Sequence, residues 1–190
     1  MDILDLLSGQ LDRSAINELS KSTGADADKV QQALKIAMPT LIEALSKNAS
    51  STEGASSLAK ALDNHKGVGV EDVAGFLKNV NTQDGSKILE HIFESDRKQV
   101  QSTISSRTGL QDNQVSGLLA QLAPLLLAML GKQKSSKNVG SRDLFSMLMG
   151  LMAMGGNKGI MKTVTNMVDS DGDGNIMDDL GKIAGGLFKK

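Results

Sequence analysis

Near the end of the chain, "NMVDSDGDGNIMDDLGKI" sets five aspartates into eleven residues, Asp169 to Asp179, between two segments with an apolar helical pattern. Counted from Asp169, acids stand at positions one, three and five, followed by Gly174 at six, Asn175 at seven and Ile176 at eight. These are the first two-thirds of an EF-hand calcium loop, D-x-[DN]-x-[DN]-G. Alternate carboxylates in a tight turn converge on one centre, glycine at six permits the sharp reversal, and the carbonyl at seven adds an oxygen. The apolar residue at eight anchors the loop to a core.

The pattern departs from an EF-hand at position twelve, where Leu180 replaces the bidentate glutamate. Asp179 or Asp178 would have to close the coordination sphere, as in shortened EF-hand-like loops. The expected ligands are therefore Asp169, Asp171, Asp173, Asn175 and Asp179. An all-oxygen donor set favours Ca²⁺ over softer metals and over the smaller, geometrically stricter Mg²⁺. Charge supports a cation: the loop holds -5 in a chain of net charge -1, and no Lys or Arg lies inside it. The competing reading is a polar turn whose acids cap a helix N-terminus.

The elements that would hold this loop are helices. Before it, Ile160, Met161, Val164, Met167 and Val168 fall on one helical face; after it, Ile176, Leu180, Ile183, Ala184 and Leu187 do the same. Upstream, the chain reads as two copies of one unit, residue n against n+85. "ILDLL" (Ile3 to Leu7) falls on "ILEHI" (Ile88 to Ile92), Gly24 on Gly109, Val30 on Val115 and Leu34 on Leu119. The only two prolines, Pro39 and Pro124, coincide. Three segments follow: a first helical repeat, 1–82, a second, 83–168, and an EF-hand-like helix-loop-helix, 157–190, packed on the second.

In each repeat a helix ends at Thr-Gly, a left-handed cap, and Asp26 or Asp112 is placed to cap the long helix that follows. An interior proline costs about 3 kcal/mol. The apolar stripe keeps its phase across Pro39 and Pro124, so kinked helices are expected rather than broken ones. The second copy has Leu125 and Ala128 where the first has Thr40 and Glu43, which predicts the more buried position or a self-association surface for it. Between the copies, residues 63–69 and 81–87 read as loops around a helix in 70–80. "NTQDGSKIL" (Asn81 to Leu89) looks like a degenerate relic of the acidic loop.

Composition bounds the rest. With 190 residues, 23% charged and 39% hydrophobic, four Phe, no Trp or Tyr and few strand signals, the chain is expected to be an all-α globular protein. No Cys means no disulfide framework and no thiolate site, and the acidic N-terminal stretch is unlike a signal peptide, so a cytoplasmic location is expected. "GLLAQLAPLLLAML" is too short for a bilayer span of ~20 residues and reads as a buried helix, so no membrane span is expected. Scattered basic residues argue against nucleic acid; the densest cluster, residues 131–138, reads as a solvated loop. His65, in a loop, and His91 stand in no catalytic motif. The Met-rich run favours core over a binding groove, since Phe145, Leu148, Met149 and Met152 fall at helical spacing.

"DGSKILEHIF", "TGL", "LAPLLLAMLGKQ" and "DxDGDGxxxDDLG" together resemble the YidB-like family of bacterial helical proteins, whose members have no established activity. The resemblance spans most of the chain and implies an all-α, bacterial, intracellular protein with a recurrent acidic C-terminal loop. It supplies no catalytic residues. Two function classes remain: a non-enzymatic helical protein with a structural calcium site, acting through a protein partner or self-association, and an enzyme of hydrolase class with a site assembled from dispersed residues. No motif identifies a small-molecule substrate.

Overall fold

The computed structural model describes residues 11–67 and 69–154. The helices in chain order are α1 (Arg13–Thr23), α2 (Ala27–Ala49), α3 (Thr52–His65), α4 (Val73–Asn79), α5 (Thr82–Phe93), α6 (Arg97–Thr108), α7 (Asp112–Ser136) and α8 (Leu144–Met154), with 3-10 turns at Glu94–Asp96 and Ser141–Asp143. There is no strand among the described residues. The expected N-terminal helix at Ile3–Leu7 and the helix-loop-helix of 157–190 lie outside the described residues.

α7 is the axis of the fold, with α1, α3, α4, α5 and α6 packed around it. Its sequence explains this place, because Leu118, Leu119, Leu122, Leu125, Leu126 and Ala128 point in several directions and all are buried. A helix apolar around most of its circumference is stable only when neighbours cover every side. It is long and apolar enough to cross a membrane, but 78% of its most apolar window is buried inside the protein. α2, with Thr40 half-buried and Glu43 exposed at the matching positions, has a solvent face. α8 lies across α2, placing Leu144 and Leu148 in the core.

α2 and α7 both continue through their prolines. Pro124 has no N–H to give to the carbonyl of Ala120, four residues earlier. α5 comes in at that point, and Gly85 sets its backbone directly against the Ala120 carbonyl. A second close approach brings Gly131 against the carbonyl of Leu62 on α3. Both contacts need a residue without a Cβ.

Positions 85 residues apart share local geometry. Gly24 ends α1 at φ 64° and Gly109 ends α6 at φ 66°. The Ser20 hydroxyl donates to the Ala25 carbonyl at 2.6 Å and the Ser105 hydroxyl to the Leu110 carbonyl at 2.6 Å. The bonds also cross between the two stretches: Lys29 Nζ donates to the Gly109 carbonyl at 3.1 Å, and Gln114 Nε2 donates to the Gly24 carbonyl at 2.7 Å. Each left-handed cap thus has its free carbonyl bound by the start of the other long helix.

Several local expectations are corrected. Residues 81–87 are no loop: Asn81 caps α5 through Oδ1, which accepts from the N–H groups of Gln83 and Asp84, and the helix begins at Thr82. The supposed relic loop is therefore a helix N-terminus. His65 closes α3 rather than lying in a loop. At the start of α7 the cap falls on Gln111, whose N–H is accepted by Gln114 Oε1 at 3.0 Å, and Asp112 sits in the first turn. Asp26 does cap α2. The basic stretch from Gly131 belongs to the last turns of α7 through Ser136, with Lys132 paired to Glu71 and Lys134 paired to Asp63 at 2.9 Å.

Candidate functional site

The expected calcium ligands Asp169, Asp171, Asp173, Asn175 and Asp179 lie outside the described residues, as do their flanking segments. Among the described residues no group of three or more His, Asp or Glu is placed to hold a metal ion. The described chain approaches that region through α8, whose Met152 Sδ lies 3.6 Å from the Ser46 hydroxyl of α2.

His65 is more engaged than its sequence context predicts. Its side chain is 19% exposed; Nδ1 donates to the Ala61 carbonyl at 2.7 Å, and Nε2 lies 3.1 Å from Asp84 Oδ2. A carbonyl and a carboxylate both accept, so each ring nitrogen has an acceptor beside it. The pair borders an open dish of ≈ 640 Å³ between α3, α4 and α5, with Phe76 and Pro124 in its lining, and there it ties the end of α3 to the first turn of α5. His91 is exposed on α5 and also borders a groove.

That groove runs along α2. One stretch, ≈ 480 Å³, lies between α2 and the α5–α6 corner and carries Glu43, Glu94 and Asp96 with Lys47. The next, ≈ 380 Å³, lies between α3 and α5 and carries Lys60, Lys87 and His91, with no carboxylate in its lining. Asn48, Gly54 and Ile92 line both, so the two are continuous. Asn48 holds the junction, its amide donating to the Ala44 and Ile92 carbonyls at 2.9 and 3.2 Å. Leu45, Leu58 and Leu127 line the basic stretch, and Ala44 and Phe93 the acidic one.

Glu94, on the rim, has φ 47° and ψ -116°. A non-glycine residue there is strained, because its Cβ crowds the backbone. The sequence contains no sign of the groove, since its banks come from helices separated by dozens of residues. The alternation of Lys60 and Lys87 against Glu43 and Glu94 has meaning only once α2, α3 and α5 are assembled.

Elsewhere on the surface, hydrogen bonds and ion pairs set carboxyl groups below their usual range. Asp63 is lowered by the hydrogen bond from Lys134, with Lys66 adding to it. Glu71 is lowered by the hydrogen bond from Lys132, and Asp12 by the backbone N–H of Ala15 and the hydroxyl of Ser14.

The model of a family described as bacterial protein of unknown function (DUF937) matches residues 5–133. The chain belongs to this family. The DUF937 match runs from ahead of α1 to Gln133 in α7, so it takes in both crossed caps and both banks of the groove but ends before the acidic loop. No curated protein matches, and no solved structure matches.

Proposed function

We propose that the chain is a non-enzymatic helical protein with a structural calcium site, acting through contact with a protein partner or a second copy of itself. The observation that carries the proposal is the spacing of Asp169, Asp171 and Asp173 ahead of Gly174 and Asn175, with Asp178 and Asp179 behind and no basic residue among them. Carboxylates gathered that tightly repel unless a cation sits between them. The ion then stabilises the folded arrangement by the free energy of its binding, and fixes the C-terminal segment against its neighbours. The resemblance to the YidB-like family, in which the acidic loop recurs, supports the same assignment.

The chain is also a tandem duplication of one helical unit. Support comes from the coincident prolines, the matching Gly24 and Gly109 caps and the crossed bonds from Lys29 and Gln114. A hydrolase built from dispersed residues draws no support from the half-buried imidazole of His65, since both of its nitrogens are engaged.

The test is a calorimetric titration of Ca²⁺ into the full chain, with Asp171→Ala and Asp173→Ala alongside. A saturable heat in the parent that is lost in both variants is the expected result. No heat in the parent, or an unchanged heat in the variants, removes calcium from the proposal.

A further inference from the structure

The groove along α2 is polarised. Its acidic stretch sets Glu43, Glu94 and Asp96 against a single lysine, and its basic stretch sets Lys60, Lys87 and His91 against no carboxylate. Lys47 and Asp96 stand 3.8 Å apart with side chains 79% and 59% exposed, a pair worth little in water. The carboxylates of Glu43 and Glu94 make no ion pair among the described residues. Between the charges the lining includes Ala61, Ile88 and Val100, apolar side chains that are only partly buried. An occupant that suits this surface is elongated, apolar on one side, acidic at one end and basic at the other.

The chain supplies such a segment. From Asp178 it reads "DDLGKIAGGLFKK": two acids at its head, Leu180, Ile183 and Leu187 at helical spacing, and Lys189 and Lys190 at its end. The tether is favourable. Met152 touches Ser46, which stands between Leu45 and Lys47, and those two residues line the groove. α8 ends two residues later at Met154, leaving 23 residues (155–177) before Asp178. At about 3.3 Å per residue that length reaches any part of a molecule this size, and tethering raises the local concentration of the segment to the millimolar range.

We propose that the C-terminal segment Asp178–Lys190 docks in the groove of its own chain, acids toward Lys60 and Lys87 and lysines toward Glu43, Glu94 and Asp96. Leu180, Ile183 and Leu187 lie over the partly buried Ala61, Ile88 and Val100, as an amphipathic segment fills a groove. Cover of these partly exposed side chains and the high local concentration of a tethered segment hold it in place, and the charges fix the direction. This docking does not depend on the calcium loop; with the ion bound, whichever of Asp178 and Asp179 is free of it faces the lysines.

Because the chain contains no cysteine, two introduced thiols are the only ones present. Ser57 and Ser95 are exposed residues on the basic and acidic stretches respectively. Ser57→Cys with Gly181→Cys, and Ser95→Cys with Gly186→Cys, are oxidised mildly in the full chain, in EDTA so that the outcome does not rest on calcium. Both matched pairs are expected to close within one chain about fivefold faster than the exchanged pairs, Ser57→Cys with Gly186→Cys and Ser95→Cys with Gly181→Cys. Adding Lys60→Glu and Lys87→Glu brings the matched rate down to the exchanged one. Equal rates for matched and exchanged pairs overturn the proposal, as does indifference to charge reversal. Cross-linked dimers in place of closed monomers also overturn it and assign the groove to a second copy.

Discussion

Gly85 of α5 lies directly against the carbonyl oxygen of Ala120 on α7, the acceptor that Pro124 leaves without its helical donor. The two irregularities fit each other: the proline frees an oxygen, and the glycine lets a neighbouring backbone come close enough to cover it. A Cα–H facing a carbonyl is a weak donor, yet it fills the space next to an acceptor on a buried residue.

Gly85→Ala tests the fit. In an exposed helix this change stabilises by about 1 kcal/mol through helix propensity. At Gly85 the new methyl group would occupy the place of the Ala120 oxygen, which is backbone and cannot swing away. Overpacking of this kind costs typically 1–3 kcal/mol, so the net effect is expected to be destabilising. Urea denaturation should show a lower midpoint with an unchanged slope; a raised midpoint would mean that α5 stands further off α7.

Glu94→Gly is expected to act in the opposite direction. Relief of a φ of 47° at ψ -116° is worth on the order of 1–3 kcal/mol, against about 0.5–1 kcal/mol for the extra backbone freedom of glycine in the unfolded chain. Position 9, at the same 85-residue spacing, already carries glycine. A higher thermal midpoint for Glu94→Gly, with Glu94→Ala at or below the parent, is the expected pattern in calorimetry.

Gln114 does two jobs where Lys29 does one. Its Oε1 accepts from the Gln111 N–H and its Nε2 donates to the Gly24 carbonyl, whereas Lys29 only donates, from an exposed position. With roughly 0.5–1.5 kcal/mol per bond, Gln114→Ala should cost more than Lys29→Ala. Gln114→Lys should recover part of the loss by restoring the donor alone. Chemical denaturation of the three variants decides the order.

Acid should weaken the fold through its surface pairs. The carboxyls of Asp63, Glu71 and Asp12 all lie below their usual values, the first two chiefly through hydrogen bonds from Lys134 and Lys132, the last through the Ala15 N–H. A lowered folded-state value means stability that is fully present above the unfolded value, near pH 4, and is lost as pH falls through the folded one. Thermal midpoints measured from pH 7 to pH 2 should fall below about pH 4, and Asp63→Asn should flatten that fall.

The long helices and their caps could be read from the sequence, because apolar periodicity, Thr-Gly endings and Asp26 are local signals. Residues 81–87 misled because Asn81, Asp84 and Gly85 are turn formers when taken one by one. Asn81 with Asp84 three residues on is also a helix-start pattern, and the glycine is there for a neighbour 35 positions away. The lysines after Gly131 looked like a solvated loop, although Lys and Gln favour helix and their acid partners, Asp63 and Glu71, are remote in sequence. The polarised groove is wholly non-local and left no mark on any single stretch. The acidic loop is the reverse case, a pattern written entirely in consecutive residues.

The crossed bonds at Gly24 and Gly109 have a consequence for how this molecule comes apart. Neither turn is finished by its own neighbourhood, so loosening one long helix withdraws a hand from the opposite turn, and damage at either place is felt at both. Such an arrangement resists piecemeal fraying and gives way in one concerted step. It also makes each stretch a poor candidate for life on its own, since excision would strip the survivor of the partner that completes it.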